Sequence, residues 1–339
     1  MNFRSQPVLV TGAAGFIGNA LVRRLAAHGC SVRAFVREER LRSPAVTALA
    51  EAGVTLVPGD VRDNAVIAQA VRGCAQVIHL AAQKSTPGTT SKQYYEVNVQ
   101  STRQLAESAL AAGVQRFVFA STLGVHGFVT KGVIDETSPV RPNSDYRRSK
   151  WLGEEVLRAL HRDHAFPVVL ARISSVVGPG AQWWLPLIRG IAQERIKLIG
   201  DGHNHIDLVS IEDIVDGLLQ CANVPAIQGG CYVLGSASPT TVRSFANAIA
   251  IAAGASPPAN GPPAAPYRAA LRLHALLFRA TGIHLSVAHN REALVANKVA
   301  SSVRAHADLG YAPSHSVNDA IAAMVAHCAS NGDLRPARR

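Results

Sequence analysis

The chain predicts an α/β fold, a doubly wound parallel sheet followed by a smaller and more irregular C-terminal lobe. Three observations predict it. Apolar strand-like runs alternate with helical patterns through the first half, a glycine-rich turn joins the first strand to the first helix, and the alternation loosens after about residue 173. Strands alternating with helices need crossover connections, and those favour a parallel sheet covered on both faces.

Taken in order, PVLVT reads as the first strand and FIGNALVRRLAAHG as the first helix. SVRAFVR, VTLVPGD, AQVIHLAA, QRFVFAST and FPVVLARIS follow as strands, most of them separated by Ala/Leu-rich helical stretches. Beyond them come GPGAQWWLPLIRG, GDGHNHIDLVSIEDI and the Pro/Ala-rich SPPANGPPAAP, which have no regular period. The expected division is a dinucleotide-binding domain over 1–172 and a substrate lobe over 173–330, the chain crossing back near 205–230. Residues 331–339 are expected to be a flexible tail.

Composition narrows the function. With 339 residues, nearly half of them apolar, the chain can bury a sizeable core in one large domain or two intimate ones. The formal charge of +11 arises from scattered arginines, without a basic tract carrying interleaved aromatics. Nucleic acid is therefore not the expected partner, whereas a basic surface suits an anionic cofactor or substrate. No apolar run reaches membrane-spanning length, and MNFRSQPVLVTG lacks the layout of a signal segment, so a cytoplasmic protein is expected. Cys30, Cys74, Cys221, Cys231 and Cys328 are odd in number, scattered and without metal-ligand spacing. They read as thiols of a reducing compartment, and no metal is expected.

The turn TGAAGFIG places Gly12, Gly15 and Gly18 between an apolar strand and an amphipathic helix. Glycines permit the tight turn and a close approach of backbone to a pyrophosphate, while the helix N-terminus offers unpaired N–H groups and a positive dipole. Gly12, Gly15, Phe16, Ile17 and Gly18 are thus candidates for holding a dinucleotide. At the end of the second strand, an NAD site usually carries an acidic residue for the ribose 2′-hydroxyl. Here Val36 stands there, followed by Arg37, with Arg33 and Arg40 close by. An arginine pairs with a 2′-phosphate, so NADP is favoured over NAD through Arg37, although Glu38 or Glu39 offers NAD a route.

SDYRRSK, residues 144–150, continues into WLGEEVLRALH with helical apolar spacing. Tyr146 and Lys150 are therefore neighbours on one helix face. A cation about 4 Å from a phenol, at an effective dielectric of about 20, is worth about 4 kcal/mol, or some three pKa units. That pairing is a way to make a phenol exchange protons near neutrality.

These features occur with GDVRD, HLAA at 79–82, EVNVQST at 96–102, FASTLGVHG at 119–127, GPG at 178–180 and the closing HADLGYAP. In that order and spacing, the chain resembles the extended short-chain dehydrogenases/reductases from residue 7 to about residue 313. The resemblance implies a Rossmann domain for NAD(P), a small substrate lobe and a Thr122, Tyr146 and Lys150 catalytic set, with Ser121 as the neighbouring candidate. It implies that Lys150 also holds the nicotinamide ribose and that Thr122 steadies the substrate oxygen. Asp60 and Val61 match an adenine-contacting pair, though Asp60 also suits a turn cap. Leu80, Ala81 and Ala82 match a cofactor-packing segment, within which His79 reads as structural. Asn98 matches a buried Asn near the active site, a helix-start Asn being the alternative.

Departures from the family pattern bear on the substrate. Leu123-Gly124 replaces the Asp-Glu pair of the sugar-nucleotide dehydratases, Ile206 replaces the arginine that grips a diphosphate, and Ile173 replaces a common proline after Arg172. The pattern resembles the branch of 3β-hydroxysteroid dehydrogenases and dihydroflavonol reductases, which implies an apolar alcohol or ketone, with Trp183 and Trp184 offering flat apolar area. The alternatives are a sugar-nucleotide 4-epimerase or 4-ketoreductase, supported by IDETSPVRP, and a non-catalytic NADP sensor. Residues 265–285 read as a basic, apolar helix that serves as core, lid or membrane-surface segment. The family often forms homodimers through the helix that bears the tyrosine.

Overall fold

The computed structural model describes residues 6–84, 86, 88–129, 131–225, 227–282 and 292–334. Five strands lead the chain: β1 (Val8–Thr11), β2 (Val32–Val36), β3 (Thr55–Pro58), β4 (Gln76–His79) and β5 (Arg116–Thr122). After the short β6 (Val133–Ile134) come β7 (Val168–Ile173), β8 (Ser175–Val177), β9 (His205–Ile206), β10 (Leu208–Ser210) and β11 (Cys231–Leu234). The short β12 (Thr240–Thr241) and β13 (Val299–Ala300) pair with β9 and β6. The main sheet runs β11-β7-β5-β4-β1-β2-β3, parallel throughout. Its first six strands in chain order are those read from the sequence; the seventh, β11, returns from beyond residue 230.

The helices are α1 (Phe16–Ala27), α2 (Pro44–Glu51), α3 (Asn64–Val71), α4 (Ser91–Tyr95), α5 (Ser101–Ala111), α6 (Asp145–His164), α7 (Leu185–Ala192), α8 (Ile211–Asn223), α9 (Val242–Ala253), α10 (Ala264–Thr281), α11 (Val303–Leu309) and α12 (Val317–Ser330). Alternation along each strand sends side chains to opposite faces. Val8 and Val10 of β1, with Val118 and Ala120 of β5, pack against α1, α2 and α8. Leu9, Phe117 and Phe119 pack against α3, α5 and α6. Both faces are covered, which is why these strands are apolar at nearly every position.

A separate core gathers part of the C-terminal half: Trp184, Ile188, Ile206, Leu208, Phe245 and Met324 meet between α7, α9, α12 and the short strands. β1 has β2 on one side and β4 on the other. Strand order therefore reverses at β1, and the crevice beyond the carboxyl ends of β1 and β4 is where ligands of open α/β sheets bind.

Candidate active site

The turn after β1 is built for close approach. Gly12 has φ +70°, and a Cβ there would lie 2.7 Å from the Ala81 backbone nitrogen. A Cβ on Gly18 would lie 2.2 Å from the Gly12 carbonyl oxygen. Gly15 caps α1 with no side-chain hydrogen bond, and the first turn of α1 holds no acidic residue. Open N–H groups and the helix dipole are left to an anion, so the cradle fits a diphosphate.

At the end of β2 the Val36 side chain is buried and Arg37 lies exposed, 3.1 Å from Glu39. Arg33 does not join it. Its guanidinium donates to the carbonyls of Ala70 at 3.0 Å and Arg72 at 2.6 Å, at the end of α3. Asp60 clamps Arg62 with two side-chain contacts, at 2.9 and 2.6 Å, and accepts from its backbone N–H at 2.8 Å. Those bonds hold the Asp60 carboxyl below its usual range against the opposing effect of partial burial. The turn-capping side of the Asp60 reading is thus present, with Val61 partly buried beside it.

Behind the crevice a buried relay fixes the loop that carries Leu80, Ala81 and Ala82. Ala81 N–H donates to Thr11 Oγ1 at 3.2 Å, which lies 2.6 Å from His79 Nδ1; His79 Nε2 lies 3.0 Å from Thr102 Oγ1, which donates to the Asn98 carbonyl at 2.9 Å. Each hydroxyl has one proton to give. Thr102 spends its own on Asn98 and must accept from Nε2–H, so Nδ1 accepts from Thr11. The neutral tautomer that results agrees with burial, reinforced by the Lys150 charge, pushing His79 down to about 3.

Asn98 sits in a π-helical turn (Glu96–Gln100) between α4 and α5. Its amide donates to the Gln83 carbonyl at 3.1 Å and to Ser149 Oγ at 2.8 Å, and its Oδ1 accepts from Gln83 N–H at 2.7 Å. It therefore ties the loop after β4 to α6, the helix of the Tyr and Lys, and is not an ordinary helix-start residue.

Thr122 ends β5, its Oγ1 accepting the Gly124 N–H at 3.0 Å, which leaves the hydroxyl proton for another acceptor. Ser121 faces the other way and is committed to Glu154, which also pairs with Arg172 at 2.7 Å. One side of α6 carries Tyr146, half-buried, with Lys150 and Glu154, both buried, at successive i+4 steps. Lys150 Nζ lies 3.9 Å over the ring of Phe119, and Tyr146 stands edge-on to Tyr94 at 6.4 Å.

The protein alone does not acidify the phenol. Burial, with the neighbouring Tyr94, pushes Tyr146 up to about 12 although the Arg147 charge works against it. Burial also pushes Lys150 down to about 7, opposed by Glu154. The expected acidification draws on a positive nicotinamide as well as on Lys150, and without the nicotinamide burial outweighs the charges around the phenol.

Sequence reading also missed the residue beside the tyrosine. The Arg147 guanidinium meets both oxygens of Glu292, at 2.7 and 2.8 Å, and the side-chain Oδ1 of Asn143. Asn143 and Lys298 reach the same carboxylate at 3.0 and 3.1 Å. Arg147 passes beside Gly124, where a Cβ would lie 3.1 Å from its Nε. That shape explains glycine two places after Thr122. A charged residue directly after the tyrosine, on the buried side of the helix start, was the available signal.

The two tryptophans separate. Trp184 is core, 4.8 Å edge-on to Phe245 and donating to the Val176 carbonyl at 3.1 Å. Trp183 is 43% exposed, edge-on to Phe16 at 5.2 Å with Lys84 Nζ 5.5 Å over its ring. Ile206 is buried in the core of the lobe. A cavity of about 280 Å³ opens elsewhere, between Asp213, Ser236 and His315, and neither Tyr146 nor Lys150 lines it.

A parallel sheet that reverses at a glycine turn, with a capless helix N-terminus behind it, defines a dinucleotide-binding α/β protein. The profile described as the NAD dependent epimerase/dehydratase family matches residues 8–235, more than half of the chain. The chain belongs to that family, whose members are NAD-dependent enzymes of the short-chain dehydrogenase/reductase type. It is 29% identical to a 3-beta-hydroxysteroid dehydrogenase of Mycolicibacterium neoaurum over 339 residues, 93% of this chain and 89% of the relative. It is 37% identical over 176 residues to sterol demethylase protein B of Methylococcus capsulatus, a match spanning 50% of this chain and only 52% of that relative. Among solved structures, MoeE5 in complex with UDP-glucose and NAD is 26% identical at a TM-score of 0.75, covering 96% of this chain and 99% of the other.

Proposed function

We propose that the protein is an NADP-preferring alcohol dehydrogenase or ketone reductase acting on an apolar or mid-sized substrate of steroid, flavonoid or lipid type. The observation that carries the reading is the stripe of Tyr146, Lys150 and Glu154 on α6, packed against the strand that ends in Thr122. When bound, the nicotinamide supplies a hydride to a carbonyl carbon or takes one from an alcohol. Tyr146 gives the carbonyl oxygen its proton in reduction and receives it in oxidation, solvent restoring the balance. Thr122 Oγ1–H donates to the same oxygen and steadies developing charge. Lys150 holds the ribose, and its ammonium adds to the positive charge near the phenol once the site is filled. Gly12, Gly15, Phe16, Ile17 and Gly18 cradle the diphosphate, Arg37 meets the 2′-phosphate, and Asp60, Val61 and Leu80 to Ala82 line the rest.

Apolar specificity is supported by what the charges already do. Ile206 is core, and Arg147 and Lys298 are both held by Glu292. The name of the Mycolicibacterium relative, which matches nearly the whole chain, agrees with a hydroxysteroid-like alcohol. The competing reading, a sugar-nucleotide 4-epimerase or 4-ketoreductase, draws on the family name and on MoeE5. Its sequence support was IDETSPVRP, whose acids are accounted for structurally. Asp135 closes its own turn onto Thr137 and Ser138, and Glu136 accepts the Val233 N–H at 2.6 Å.

The test is a screen of the purified protein against apolar ketones and alcohols and against UDP-sugars, read as nicotinamide absorbance with each cofactor. Turnover of an apolar ketone with NADPH preferred over NADH is expected, by about 1.5 to 3 kcal/mol for a charge-assisted contact. Arg37→Ala is expected to remove most of that preference. Equal use of the two cofactors by the unmodified protein sinks the NADP assignment. Interconversion of a UDP-sugar without net absorbance change selects the epimerase instead.

A further inference from the structure

The buried polar cluster at the start of α6 sets two cations against one carboxylate. Arg147 and Lys298 reach Glu292 at 2.7 and 3.1 Å, and Asn143, which completes the cluster, brings no charge. Burial lowers Lys298 although Glu292 opposes it, whereas a guanidinium does not give up its proton. Arg147 is therefore the standing cation of the cluster.

Its place matters as much as its charge. Arg147 follows Tyr146 in the chain and crosses the turn after β5, where a Cβ on Gly124 would lie 3.1 Å from Arg147 Nε and 3.2 Å from Thr122 Oγ1. Guanidinium and hydroxyl thus flank one point, with no side chain at Gly124 to part them. The other groups around Tyr146 do not duplicate this charge. Tyr94 comes from α4, edge-on and neutral, and Glu96 of the π-helical turn pairs with Lys92 at 3.8 Å. Asp145 of α6 accepts from Ser91, and His126 of the turn after β5 is turned to Arg172 and the Pro139 carbonyl. Lys150 is pushed by burial to about 7, so near neutrality it is charged only in part.

We propose that Arg147 is a positioning residue of the reaction: fixed by Glu292 and Asn143, its guanidinium supplies permanent positive charge that favours the ionised form of Tyr146 and the oxyanion that Thr122 meets. Glu292 sets how much of that charge is felt. This rests on the catalytic reading of Tyr146 and Thr122 given above. In a buried site of low dielectric such a charge acts strongly without touching the reacting atoms. The two partners of the ion pair therefore act on the phenol with opposite signs. Losing Arg147 removes positive charge from beside it, and losing the Glu292 charge leaves more.

The test reads the phenol itself and needs no turnover. The full chain is made with 3-fluorotyrosine in place of its six tyrosines, which lowers each phenol and gives each a fluorine resonance; Tyr146→Phe assigns the resonance of Tyr146. Its titration midpoint is followed by fluorine NMR, without cofactor and with NADP⁺ at saturation. Arg147→Met is expected to raise that midpoint by about one pH unit or more, and Glu292→Gln to lower it by a similar amount. Arg147→Lys, which keeps the charge, is expected to leave it near the unmodified value. A pair that only fastened α6 would not give opposite signs. Should Arg147→Met or Glu292→Gln fail to fold, the other, read against Arg147→Lys, decides. The proposal is overturned if neither variant moves the midpoint, if both move it the same way, or if Arg147→Lys moves it as far as Arg147→Met does. A Tyr146→Phe protein that keeps its turnover overturns the catalytic reading on which this one rests, and the midpoints tell the two failures apart.

Discussion

Tyr146 and Lys150 stand one helical turn apart on α6. Both are desolvated at the start of α6, and burial moves the phenol up and the ammonium down, away from the charged form of each. Tyr146→Phe keeps the ring, so cofactor affinity and melting temperature are expected to hold while turnover falls by about 10² to 10⁴. Lys150→Ala is expected to weaken cofactor binding as well and to move the pH optimum for alcohol oxidation upward. Its ammonium also links stability to pH. Between about 7 and the ordinary lysine value of 10.5 the unfolded chain keeps a proton that the folded one sheds, so stability rises with pH across that window. Lys150→Ala should flatten that rise in urea titrations, and a Tyr146→Phe protein with full activity on an identified substrate would remove Tyr146 from the mechanism.

At the scale of elements, α6 is fastened by polar and charged partners from far along the chain. Asn98 holds Ser149 from the π-helical turn, Glu154 holds Ser121 and Arg172 on β5 and β7, and Glu292 holds Arg147. The Arg147 and Glu292 side chains are 10% and 2% exposed, so removing Glu292 leaves Arg147, and Lys298 beside it, without a counter-charge. Glu292→Met is expected to destabilise the fold by about 3 to 5 kcal/mol in urea unfolding, and Arg147→Met/Glu292→Met by clearly less. Burial disfavours the Glu292 charge, but Arg147 and Lys298 outweigh it and hold the carboxyl well below its usual range. The stability it contributes is therefore complete above the ordinary glutamate value of 4.5 and is lost as pH falls below it. Additive single and double variants would show that the pair is not coupled.

For the molecule as a whole, the sheet supplies a dinucleotide crevice and the C-terminal residues close over its tyrosine side. A ligand raises the melting point only by binding the native state, and one present at about a hundred times its dissociation constant adds about 2.7 kcal/mol. NADPH is expected to do so. UDP and UDP-glucose at millimolar levels are expected to leave the melting point where it is, because Ile206 is core and Arg147 and Lys298 are both turned to Glu292. Stabilisation by UDP where UMP has no effect would transfer the protein to the sugar-nucleotide reading.

What the sequence determined by itself is local and periodic. Six strands of the sheet, the glycine turn and the i, i+4 placement of Tyr146 and Lys150 follow from spacing alone, since pleat, helix pitch and glycine's left-handed backbone act within a few residues. The preference for Thr122 over Ser121 rests on the register of the VHG that follows, but only the fold supplied Glu154 to occupy Ser121. Tertiary structure alone decided the rest. It joined β11 to the sheet from residues 231–234, split Trp183 from Trp184, sank Ile206 into a core, and turned three leucines of α10 outward. Above all it brought Glu292 to Arg147 across 145 residues. Partners that distant leave no period in the chain, because their pairing is set by how layers stack and which charges burial forces together.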